Sequence, residues 1–63
     1  MKPQEFMEVL QEAIILDMEE TGSRITAVDT LKEAGLMGNK VGLVLHTDDG
    51  SVFRVLIEKI DNN

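Results

Sequence analysis

Two runs rich in Val, Leu, Ile and Phe, Lys40 to Thr47 and Ser51 to Ile60, flank Asp48-Asp49-Gly50, and this juxtaposition constrains the fold more than any other part of the chain. β-Branched and aromatic residues suit strands, and a short Gly-containing link between two such runs suits a hairpin. The loop length then decides the register. A two-residue turn at Asp49-Gly50 sets Leu45 opposite Arg54 and Val41 opposite Glu58, mixing charge into both faces. A three-residue loop, with Gly50 in the left-handed bulge position, sets Val41, Leu43 and Leu45 opposite Ile57, Val55 and Phe53. That face is wholly apolar, so the three-residue loop is the predicted one. It also pairs Lys40 with Glu58 and leaves Gly42, Val44, His46, Val52, Arg54 and Leu56 on the second face.

Upstream, Pro3 suits the first turn of a helix, and Gln4 to Glu20 contains no Gly or Pro and few β-branched residues. A helix over about residues 3 to 20 follows. Stepping 100° per residue collects Phe6, Met7, Val9, Leu10, Ala13, Ile14, Leu16 and Met18 on an arc of about 200°. Gln4, Glu5, Glu8, Gln11, Glu12 and Glu19 fill the remainder, with Ile15 stranded among the acids and Asp17 among the apolar residues. Thr21-Gly22-Ser23 ends the helix, Gly22 being placed for a left-handed conformation.

The middle of the chain reads as a short second helix. Thr26 can serve as its N-cap with Asp29 three residues on, Val28, Leu31 and Ala34 share a face, and Gly35 stops it. Leu36 then supplies the apolar contact of a Schellman ending, and Gly38-Asn39 turns the chain. A competing reading makes Arg24 to Val28 a strand. The expected fold is thus α+β: a long N-terminal helix, a short helix and a C-terminal hairpin, forming one domain over residues 1–63 with a frayed tail at Asp61-Asn62-Asn63.

Composition narrows the function by exclusion. Six Lys and Arg against 12 Asp and Glu give a net charge of −6, which opposes direct nucleic-acid binding. The longest apolar run near the N-terminus, Ala13 to Leu16, is too short for a membrane span or a signal-peptide core, so a cytoplasmic location is expected and no membrane partner. No Cys is present, which removes disulfides, thiolate metal sites and thiol catalysis, and a single His leaves little for metal chemistry. No cofactor is expected, because no Walker loop, dinucleotide fingerprint, RNA-binding aromatic pair or metalloprotease helix occurs.

Individual candidates for chemistry reduce to structure. His46 near Asp48 and Asp49 lacks a Ser, Cys or second His to complete a catalytic or zinc set, and Asp48-Asp49-Gly50 lacks the further oxygen ligands of a calcium loop. Asp17 is a candidate buried carboxylate, or else an edge residue reaching Arg24 or Lys32. Arg54 and Lys40 read as a solvated face, and the methionines at 1, 7, 18 and 37 as core filler.

A chain this short with only Phe6 and Phe53 as aromatics must bury most of its aliphatic residues, and small domains lacking disulfides or metals commonly associate. A non-enzymatic protein acting by protein–protein association is therefore expected, most simply a homodimer joined through its hairpin edges, completing the sheet, or through the broad apolar face of the first helix. Its interface candidates are Phe6, Leu10, Ile14, Ile15 and Met18 on the helix and Val44, Val52 and Leu56 on the sheet. The alternative is an acidic inhibitor or adaptor that docks on a basic protein, with Glu5, Glu8, Glu12 and Glu19 imitating phosphates. A small-ligand sensor or enzyme needs a pocket that this chain encloses only at the seam of a dimer.

Overall fold

The computed structural model describes residues 1–35 and 40–60, so the expectations for Leu36, Met37, Gly38-Asn39 and Asp61-Asn62-Asn63 lie outside the described residues. Helix α1 (Pro3–Met18) is followed by β1 (Ile25–Thr30), β2 (Val41–Thr47) and β3 (Val52–Ile57). The strands form one antiparallel sheet in the order β1-β2-β3. The α+β class is as expected; the short second helix is not there.

The helix starts where Pro3 allows it to, and Glu5 closes the first turn by accepting the Lys2 N–H at 2.9 Å. Its last turn tightens, with the Glu19 and Glu20 N–H groups donating to Leu16 O and Asp17 O. It ends two residues before the expected limit. Gly22 has φ +90°, but its place is in the Glu20–Ser23 turn beyond the helix rather than at the cap itself.

Residues 25 to 30 form a strand because β2 has two sides, and the side facing away from β3 would otherwise carry unpaired peptide groups over an apolar face. Val28 lies opposite Leu45 and Thr30 opposite Leu43, while Ala27 and Asp29 face His46 and Val44. A bulge between Ile25 and Ala27 leaves Thr26 unpaired and returns Ile25 to the helix side, opposite Thr47. Thr30, not Thr26, is the capping residue. Its hydroxyl accepts the Glu33 N–H at 3.1 Å, and Glu33 Oε1 accepts the Thr30 N–H at 3.0 Å. This reciprocal cap closes a single turn, with Ala34 N–H on Thr30 O, and Gly35 at φ +78° ends it. This turn is not the expected helix: residues 31–35 form a turn only, and Thr26 to Thr30, expected to open that helix, belong to β1.

The hairpin follows the predicted register pair for pair: Val41↔Ile57, Leu43↔Val55 and Leu45↔Phe53. The observed ladder stops one pair short of Lys40 and Glu58. Gly50 N–H donates to Thr47 O, Thr47 N–H donates to Ser51 O, and Gly50 has φ +88°, which is the three-residue loop with its left-handed glycine. Asp49 braces it, its Oδ1 accepting from the Thr47 hydroxyl at 2.7 Å and the Ser51 N–H at 3.0 Å. The Thr47 hydroxyl first and Ser51 second hold the Asp49 carboxyl down at about 2 from the usual 3.8.

Because the folded value lies below the unfolded one, the Asp49 contribution is complete above pH ~4 and is lost as the pH falls towards about 2. We expect the Asp49 carboxyl to titrate near 2 by NMR and to move up towards 3.8 in Thr47→Val. An unchanged midpoint in that variant would remove the hydroxyl as the main cause.

Helix α1 lies over the sheet face that carries Leu43, and it packs chiefly on β1 and β2, barely reaching β3. Met7, Leu31, Leu43 and Val44 are the buried apolar side chains among the described residues, and Leu43 alone is fully buried. The helix turns Met7, Leu10, Gln11, Ile14 and Met18 towards the sheet. That direction is rotated roughly 70° from the centre of the apolar arc, taking 100° per residue. The other half of the arc is consequently in solvent.

Candidate functional site

Phe6, Val9 and Leu16 are 48%, 52% and 63% exposed, and with exposed Ala13 they form a second apolar stripe along α1. Beside it, an open groove of about 610 Å³ runs between the helix and β3, lined by Phe6, Leu10, Val55 and Ile57 together with Met1 and Ile60. The groove exists because α1 sits over the other two strands. Phe53, on the helix-side face, is consequently exposed, while Val52 and Leu56 are exposed on the opposite face and Ile60 beyond the strand end.

The two edges of the sheet differ. At β1 the bulge disrupts the ladder, and the Thr30 N–H and C=O at the far end are already engaged by Glu33 and Ala34, so this edge offers a further strand less than β3 does. At β3 no comparable device is present among the described residues. The Thr47–Ser51 bond fixes the alternation: Ser51, Phe53, Val55 and Ile57 turn their peptide groups to β2. The peptide groups of Val52, Arg54 and Leu56 therefore point out of the sheet.

The chain also exposes more surface than its mass requires. A compact monomer of 7.0 kDa exposes roughly 4,000 Å². This one exposes 4971 Å², and its radius of gyration is 12.4 Å where about 10.6 Å suits a compact chain of its length.

The interface candidates named from sequence divide accordingly. Phe6, Ile15, Val52 and Leu56 are exposed, Leu10, Ile14 and Met18 are half-buried against the sheet, and Val44 is already buried within the sheet of its own chain. Phe6 and Leu10 meet Leu56 around the groove, while Ile15 stands apart on the acidic side. Val9, Leu16, Phe53 and Ile60 were missed; the wide apolar arc was their signal, and its packed half was not separable from its free half.

Of the acidic row, Glu5 belongs to the helix cap, whereas Glu8, Glu12 and Glu19 are exposed on the side away from the sheet. Asp17 is exposed and not buried. Its Oδ2 accepts the Ser23 hydroxyl at 2.9 Å, and Ser23 Oγ accepts the Ile25 N–H, which ties the helix end to β1. Arg24, an expected partner of Asp17, instead approaches Asp48 at 3.4 Å in an exposed pair worth little to stability. His46 is half-buried within β2, opposite Ala27 and Val52. Among the described residues no group of three His, Cys, Asp or Glu side chains converges as a metal site, and no helix is long and apolar enough to cross a membrane.

Known protein families, curated proteins and solved structures offer no match to this chain. The surface itself therefore carries the functional argument. Its two components, an apolar groove and a strand edge with outward peptide groups, are contiguous along β3. Surfaces of these two kinds are the ones that general physics suits to a polypeptide, an edge through main-chain hydrogen bonds and a groove through apolar burial.

Proposed function

We propose that this protein is a non-enzymatic association module of the cytoplasm whose principal partner is a second copy of itself, joined along β3 and the adjoining groove. The sheet does not need a partner to reach three strands, since β1 supplies the third from within the chain. What supports association is the uncovered apolar surface of β3, with Val52, Phe53 and Leu56 all exposed beside an open groove. The edge and not the helix is the main seam, because the helix stripe lacks hydrogen-bonding groups to offer.

Sedimentation across a dilution series tests this. A concentration-dependent dimer is expected, and Leu56→Asp should weaken it by more than about tenfold, with Ile15→Glu leaving it within about twofold. A monomer at every concentration would sink the proposal, and a dimer sensitive to Ile15 alone would move the seam to the helix. The exposed line of Glu8, Glu12 and Glu19 favours a second reading, docking on a basic protein. That reading requires binding that weakens steeply with salt and is lost on charge reversal at Glu8 and Glu12.

A further inference from the structure

Resting on that association, we propose that two copies pair β3 with β3 antiparallel about a twofold axis at Leu56, giving a six-stranded sheet in the order β1-β2-β3-β3-β2-β1. Three considerations bear on the register, the first two reading the same alternation of the strand in its peptide groups and in its faces, and the third choosing among the registers they allow. The first is the direction of the peptide groups. Val52, Arg54 and Leu56 point theirs out of the edge, so hydrogen-bonded pairs across the seam must join these alternate residues to one another and to Glu58.

The second is face matching. A twofold axis perpendicular to the sheet keeps both apolar faces on one side, so residues opposite each other must come from the same face. Axes at Arg54, Val55 and Leu56 all meet this condition. The third is charge, and it separates them. An axis at Arg54 places the two guanidinium groups against each other, and an axis at Val55 sets Arg54 against Leu56 and Val52 against Glu58. An axis at Leu56 instead sets Arg54 of each copy opposite Glu58 of the other, twice by symmetry.

The same axis places Leu56 against Leu56, Val55 against Ile57 and Val52 against Ile60. Val52, Leu56 and Ile60, at 57%, 46% and 95% exposure, each gain an apolar neighbour. Arg54 and Glu58 are exposed and have no ion-pair partner among the described residues, and the seam pairs them with each other. In the dimer, residues 58–60 extend β3. The groove between Phe6 and Ile57 then opens onto its symmetry mate rather than onto solvent. The β1 edges, which their bulge and capped turn make less open to a further strand, become the outer limits of the sheet, which disfavours growth beyond two copies.

Charge exchange tests the register. Arg54→Glu and Glu58→Arg alone each create two like-charge contacts and should raise the dimer dissociation constant about tenfold, while R54E/E58R in one chain should bring it back to within about threefold of the starting protein. Leu56→Cys, in a chain that has no other thiol, should form an intermolecular disulfide on oxidation, whereas Arg54→Cys should not. All these positions are exposed, and an unchanged far-UV spectrum confirms that each variant folds. Rescue by the double exchange together with the Leu56 cross-link establishes the register. A dimer of normal mass with neither rescue nor cross-link overturns the register and leaves the association standing. Absence of any dimer overturns both.

Discussion

Replacing Gly42 with Ala is expected to push β3 off β2 and to lower stability by about 2–3 kcal/mol. A Cβ built at this position collides with the Val55 carbonyl oxygen and comes within 3.2 Å of Leu56 Cα. Both obstacles are backbone, so no rotamer change relieves them; the strand must move. The alanine gains something from a less free unfolded chain, on the order of 0.4–1 kcal/mol, and this does not offset the collision. Cores of this size supply only about 3–5 kcal/mol, so the variant should be partly unfolded in water. Urea titration followed by far-UV circular dichroism measures it. A midpoint within error of the parent would mean that β2 and β3 do not approach as closely as described. Gly50→Ala serves as the control, because no atom lies within 4 Å of its added Cβ and only its positive φ is strained, at a cost of about 1 kcal/mol.

The hairpin was legible because its information is local. Loop length, the glycine at the left-handed position and the alternation of two short runs are all written within residues 41–57, and only one loop length makes a face apolar. The segment before it was not legible for an equally specific reason. Thr26-x-x-Asp29 and Thr30-x-x-Glu33 have the same spacing, and both resemble a helix start. Glutamate reaches back to the capping N–H, and the second pair is the one that forms. With Ile25, Thr26 and Val28 β-branched, the preceding residues were free to become a strand, but the demand for one came from β2, some fifteen residues downstream.

The helix shows the same division. Its existence, its start at Pro3 and its acidic outer row follow from periodicity. Its rotation does not. Periodicity marks an arc as apolar without saying which partner takes which half, and here the sheet takes the side around Met7 and Ile14 while Phe6, Val9 and Leu16 are left over. The sequence argument for association began from a two-stranded sheet in need of more strands. The structure replaces that premise with a different one, a three-stranded sheet whose helix covers the wrong two strands to protect the third.

That arrangement makes the core small and gives a single side chain unusual leverage. Leu43 lies at the centre of the central strand, between Thr30 and Val55, and is the one fully buried side chain among those described. Truncation to alanine removes its transfer free energy and leaves a cavity roofed by a rigid helix, at a cost of about 3–4 kcal/mol. Val44, its neighbour on the opposite face, is 6% exposed but has no helix above it. Truncation there lets water reach the space left behind, and the cost should be about 1–2 kcal/mol. Equilibrium denaturation of Leu43→Ala and Val44→Ala at equal protein concentration compares the two faces directly, since neither residue lies in the proposed seam. A larger loss at Leu43 locates the cohesive energy under α1. Equal losses would mean that the second face is covered too, and the most direct cover is a partner spread across the sheet rather than along its edge.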